Sequence, residues 1–173
     1  MVCEASQMGS SDILRSAVNE AEKKLEALGY PLDRVPAAGA LYRPLVIDGK
    51  TGYLSGAVPF DGPGNLVKEF LGKVPSEVDV ATATRAAALC AANLLRVLRA
   101  ELGSLDRVER ILRLAGYVNS DVTFSDQHLV MNGASQLMID VLGEAGWHAR
   151  SAIGTAQLPL NSAVEVDIIV KLK

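Results

Sequence analysis

The chain has 173 residues, with 17 Lys+Arg against 20 Asp+Glu and a net charge of −3. This length fits one domain with a core of its own, and an apolar share of 49% excludes a disordered chain. Mild acidity and 5% aromatics argue against a nucleic-acid clamp, which wants a basic stripe and stacking rings, and no apolar run reaches the ~18 residues of a membrane span.

Residues 1–11 are small and polar, with neither the charge nor the apolar run of a signal peptide. Cys3 falls in this tail and Cys90 in an Ala/Leu pattern; the two form no disulfide framework, so a reduced, cytoplasmic protein is expected. Ile13, Leu14, Ala17, Ala21, Leu25 and Leu28 predict a helix over 12–28, capped by Ser11 or Asp12 and stopped by Gly29. The turn Asp48-Gly49-Lys50-Thr51-Gly52 separates strands expected near 40–47 and 52–58. The Gly- and Pro-containing stretch 59–79 reads as a long connection with a short helix at 66–71. Gly62 and Gly64 in it are a turn rather than a phosphate cradle, because Pro63 between them lacks an N–H.

The strongest helical pattern runs over 80–102. Ala87, Cys90, Leu94 and Val97 make one stripe and Ala91, Leu95, Leu98 and Leu102 an adjacent one, with Gly103 as the stop. Cys90 on this stripe is a small core residue. In VERILRLAGYV, Leu112, Leu114 and Val118 share one face of a predicted strand. A second helix over about 126–142 begins at Asp126 and carries Val130, Ala134, Leu137, Met138 and Val141 on one stripe. Strands follow near 149–157 and over 164–172, the last alternating Val164, Val166, Ile168, Val170 and Leu172 with Glu165, Asp167, Ile169 and Lys171. The order α-ββ-α-β-α-ββ predicts an α+β two-layer domain, helices on one face of a mixed sheet. The other face is half polar along the last strand, fit for solvent or for another subunit.

Common catalytic signatures are absent: there is no GxGxxG, P-loop or GxSxG. His128 and His148 stand apart from any paired cysteines, so neither a metal nor a cofactor is called for. What remains specific is a set of segments: PAAGALY ending at Tyr42, LSGAVP with Ser55 and Gly56, MNGASQLMIDVLGEAG with Asn132, and ARSAIGTAQLPLNSAVEVDIIV with Arg150, Ala152 and Glu165. In kind, order and Arg-to-Glu distance these resemble the RidA/YjgF (endoribonuclease L-PSP) family, over about 35–173. On that basis 1–34 is an N-terminal tail and extra helix and 35–173 the family domain.

The resemblance implies a chorismate-mutase-like fold, a homotrimer with clefts between subunits, and hydrolysis of 2-imino and 2-enamino acids to 2-keto acids and ammonia. Arg150 would grip the substrate carboxylate, as a planar guanidinium does. Glu165 would activate water and protonate the leaving nitrogen, with Asp167 as the fallback carboxylate. Tyr42, Ser55, Gly56, Asn132 and the backbone of Ala152 would orient ligand. Where many members have Cys this chain has Ala152; Leu41 replaces a Pro and Ala57 a Gln, changes that reshape the cleft mouth. Two alternatives share these residues: a non-catalytic trimer that binds a small carboxylate metabolite, and the ribonuclease or translation-inhibitor role in the family name, against which the acidity and few aromatics speak.

Overall fold

A computed structural model describes residues 19–37 and 39–173. The expected caps Ser11 and Asp12, the stripe residues Ile13, Leu14 and Ala17, and Cys3 lie outside the described residues. Helix α1, Glu20–Ala27, is capped by Asn19, whose side chain accepts from the Glu22 N–H at 2.9 Å. Leu25 is fully buried on it, and Gly29 follows at φ 89.

Strands β1, Leu45–Asp48, and β2, Thr51–Leu54, form a hairpin shorter than expected at both outer ends. Pro44 has no N–H for a ladder, so 39–44 is a loop that carries Tyr42. Beyond Leu54 the chain bends away from its neighbour and rejoins it only at Ala57, paired to Val166. The connection 59–79 contains a 3-10 turn at Lys68–Phe70 in place of a short α-helix.

Helix α2, Val80–Leu102, matches the predicted span residue for residue. The Asp79 carboxylate caps it by accepting from the Thr82 N–H at 2.9 Å. Gly103 closes it at φ 81, with its N–H on the Arg99 carbonyl. Ala87, Cys90, Ala91, Leu94, Leu95 and Leu98 are at most 1% exposed. Each of those leucines contributes about 2 kcal/mol by leaving water.

Strand β3, Val108–Asn119, holds the one misplaced face. Its register against the final strand slips between Val108 and Arg110 and again between Ile111 and Arg113. The buried residues therefore fall at Val108, Ile111 and Leu114, and Leu112 is turned out at 38% exposure. The predicted helix over 126–142 is two pieces, α3, Gln127–Val130, and α4, Asn132–Leu142. Asp126 starts it without a side-chain capping bond. Val130, Ala134, Leu137, Met138 and Val141 are all buried, as their stripe required. Strand β4, Ala149–Thr155, and strand β5, Val164–Leu172, complete the sheet.

The sheet order is β1-β2-β5-β3-β4, with β3 and β4 parallel and the other pairs antiparallel. The helices pack on one face, where Val164, Val166, Ile168 and Val170 of β5 are fully buried. This is the α+β two-layer arrangement that the pattern predicts. Among the described residues no helix is long and apolar enough to cross a membrane.

Candidate functional site

The candidate residues fall into two groups that one chain keeps apart. Tyr42, Ser55, Gly56 and Glu165 line a single cavity of about 600 Å³, beside the gap that β2 leaves along β5. Glu165 is half-buried and alternates with the buried Val164 and Val166. Its carboxyl lies on the Gly56 backbone: a Cβ at position 56 would stand 1.9 Å from Oε1 of Glu165. Only a residue without a side chain permits that approach. Burial, and then the neighbouring Asp167 carboxylate, push the Glu165 carboxyl above its usual range. Asp167 lies on the same face but accepts a hydrogen bond from the Tyr117 hydroxyl at 3.0 Å. The Ser55 hydroxyl donates to the Arg43 carbonyl at 2.8 Å, which ties the Tyr42 loop to the end of β2. Tyr42 is half exposed on the cavity wall.

Arg150 and Asn132 make the second group. Arg150 on the edge strand β4 is in register with Leu114 and, through it, with Ile168, both buried under the helices. It therefore faces the helix layer while Glu165 faces the other way. Its Nη1 donates to Oδ1 of Asn132 and to Oγ of Ser135, each at 3.0 Å, and Nη2 donates to the His128 carbonyl at 3.1 Å. Among the described residues these bonds use three of the five N–H groups of the guanidinium and leave one on Nε and one on Nη2, donors of the kind a carboxylate accepts from. Ala152, two residues on, shares that face and is partly buried against the core.

Ser135 and His148 were not legible as site residues, although both carried a spacing signal. Ser135 is one turn past Asn132, and His148 is two residues before Arg150 on the same face. Nδ1 of His148 lies 2.6 Å from the Gly146 carbonyl and Nε2 lies 3.0 Å from Oγ of Ser135. In the neutral tautomer with its proton on Nδ1, the donors run in one direction, Arg150 to Ser135, Ser135 to His148, and His148 to the Gly146 carbonyl. Burial, then the Arg150 charge, hold the His148 ring below its usual range. Leu160 on the cavity wall was also missed; it stands at φ 59, where sequence offers no reason to expect a leucine.

Elsewhere on α2 a buried polar pair holds the cavity's two flanks. The Asn93 amide donates to the carbonyls of Val58 (3.1 Å) and Phe60 (2.9 Å). Arg96 donates to Oδ1 of Asn93 and, through Nε, to the Pro31 carbonyl, both at 2.8 Å.

A family model described as "YjgF/chorismate mutase-like, putative endoribonuclease" matches residues 22–172. Protein TCP17 of Trypanosoma cruzi is 39% identical over 149 residues, which is 86% of this chain and 91% of the relative. The crystal structure of Atu1372 from Agrobacterium tumefaciens, a protein of unknown function, is 40% identical with a TM-score of 0.81, over 95% of this chain and 99% of that one. A "putative endoribonuclease" of Shewanella oneidensis MR-1 is 30% identical with a TM-score of 0.82, over 89% of this chain and 100% of that one.

Proposed function

The chain belongs to the YjgF/chorismate-mutase-like family, and from that premise we propose that it hydrolyses reactive 2-imino and 2-enamino acids to 2-keto acids and ammonia. The observation that carries this reading is the Glu165 carboxyl, half-buried on Gly56 in a cavity where, among the described residues, no other charged residue is in the lining. Burial and the Asp167 carboxylate lift this carboxyl above its usual range, which strengthens it as a base, and a carboxyl held on a rigid strand can take a proton and then return it.

The substrate carboxylate takes the unused N–H groups of Arg150. The imine nitrogen takes up a proton from solvent, and Glu165 removes a proton from water as the water oxygen bonds to the imine carbon and the C=N π pair moves to nitrogen. The resulting carbinolamine collapses: Glu165 returns its proton to nitrogen, the C–N bond breaks with its pair on nitrogen, ammonia leaves, and the hydroxyl proton passes to solvent as the carbonyl forms. One imine and one water give one keto acid and one ammonia.

Arg150 and Glu165 lie on opposite faces of one chain's sheet. That separation supports a cleft shared between copies, with Arg150 and Asn132 from one and Glu165, Tyr42, Ser55 and Gly56 from the next, in a homotrimer. The half-polar sheet face, with Val46, Tyr53 and Ile153 exposed, supplies the surface on which copies meet.

The test generates 2-iminobutyrate in situ and follows its loss with the wild-type protein, Arg150→Ala and Glu165→Ala. Acceleration by the wild type alone is expected. Carboxylate binding that survives Glu165→Ala, with no turnover by the wild type, would favour a trimer that binds a small carboxylate metabolite without converting it.

A further inference from the structure

The cavity beside Glu165 is far roomier than the substrate of that assay requires. Its volume of about 600 Å³ suits a ligand much larger than a four-carbon acid. Past the polar rim of Tyr42, Ser55 and Glu165, its inner wall is Val58, Phe60, Leu94 and Val97. Leu94 and Val97 belong to α2, and Asn93 and Arg96 on the same helix fix the Val58–Phe60 segment and the chain at Pro31. These walls are therefore fixed by bonds within one chain.

Leu160 points to the same conclusion independently. A leucine at φ 59 is strained, and it stays there only because its neighbours hold it. Asn161 is that anchor. Its carbonyl accepts from the Gly72 N–H at 2.8 Å, and its Oδ1 accepts from the amides of Gln157 (2.8 Å) and Asn119 (3.3 Å). The turn thereby presents an apolar side chain at the cavity, 61% exposed, where a solvated loop would carry a polar one.

We infer that the site takes 2-imino acids whose side chain is a branched aliphatic or an aromatic group, held against Leu160, Phe60 and Val58. This rests on the reading of Glu165 as the hydrolytic carboxyl and narrows its substrate class. A methyl or ethyl side chain leaves this apolar wall facing water. Each further methylene that reaches it multiplies kcat/KM by about four.

The experiment generates the imino acids of alanine, 2-aminobutyrate, leucine and phenylalanine in situ with an amino-acid oxidase, and measures kcat/KM for each. Propanoate, 4-methylpentanoate and 3-phenylpropanoate are titrated in parallel by calorimetry as unreactive analogues. The leucine- and phenylalanine-derived substrates are expected to be the best, and Leu160→Ala is expected to lower the ratio of the phenylalanine to the alanine substrate severalfold. Turnover that is flat or falls with side-chain size overturns the inference and leaves the deaminase reading standing. Absence of turnover on all four, with binding that tightens with size, overturns the deaminase reading and keeps the apolar-tail specificity for a bound carboxylate. No turnover together with binding that is absent or ungraded overturns both.

Discussion

Glu165 sits where burial and a neighbouring carboxylate both disfavour its charge. Its folded-state pKa lies above its unfolded value, so between the two the native state binds the extra proton. Stability therefore falls as pH rises through that window and stays lower at neutral pH. Glu165→Gln is accordingly expected to abolish turnover and to raise Tm at pH 7, with the gain vanishing below the unfolded carboxylate range; thermal melts across pH check both signs. Asp167→Asn removes the second cause of the shift, so the acidic limb of kcat/KM should move to lower pH. Gly56→Ala would drive a methyl onto Oε1 of Glu165 and should abolish turnover while leaving the far-UV circular dichroism unchanged. At the other half-site, Arg150→Gln removes the charge that helps depress His148. The His148 ring should then titrate at higher pH in an NMR titration, where only two histidines contribute. Ser135→Ala takes one acceptor from Arg150 and should raise KM about tenfold, with kcat far less affected.

Helix α2 does two jobs with two kinds of residue. Its Ala and Leu stripes fill the core, and these were legible because helical periodicity and burial are one statement made twice. Its buried Asn93 and Arg96 interrupt that apolar face and bind loop carbonyls that the sequence alone does not pair with them. Asn93→Leu leaves the Phe60 carbonyl and one Arg96 donor without partners, and the Val58 carbonyl with only the Phe60 N–H, and should cost about 3 kcal/mol in denaturant unfolding. Arg96→Lys keeps the charge but loses the forked geometry, and should destabilise the protein as well. In β3 the periodicity failed for a local reason. Two register slips shift the buried set from every second to every third residue, and a slip is set by the partner strand rather than by β3's own residues.

At the scale of the whole molecule, the two candidate half-sites face away from each other, and the reading of a shared cleft has a direct test. Arg150→Ala and Glu165→Ala, each inactive alone, are unfolded together and refolded as a mixture. A cleft made of Arg150 from one copy and Glu165 from another should recover about a quarter of wild-type turnover, the chance that a head-to-tail interface receives both intact residues. A site assembled within one chain recovers none. Sedimentation equilibrium of the wild type is expected to give three times the monomer mass.

The sequence by itself determined the family, the order of elements, the span of α2 and the two-faced strand β5, because each depends on periodicity, capping or short motifs within a few residues of one another. It also named Tyr42, Ser55, Gly56, Asn132, Arg150 and Glu165 as candidates, since those residues lie within the family's segments. Only the tertiary structure decided which of them stand together. Facing depends on strand register and sheet order, which set Arg150 on the helix side of the sheet edge and Glu165 on the other side. The same long-range packing turned His148 and Ser135 toward Arg150, opened an apolar cavity behind Gly56, and held Leu160 in a conformation that no local preference would choose.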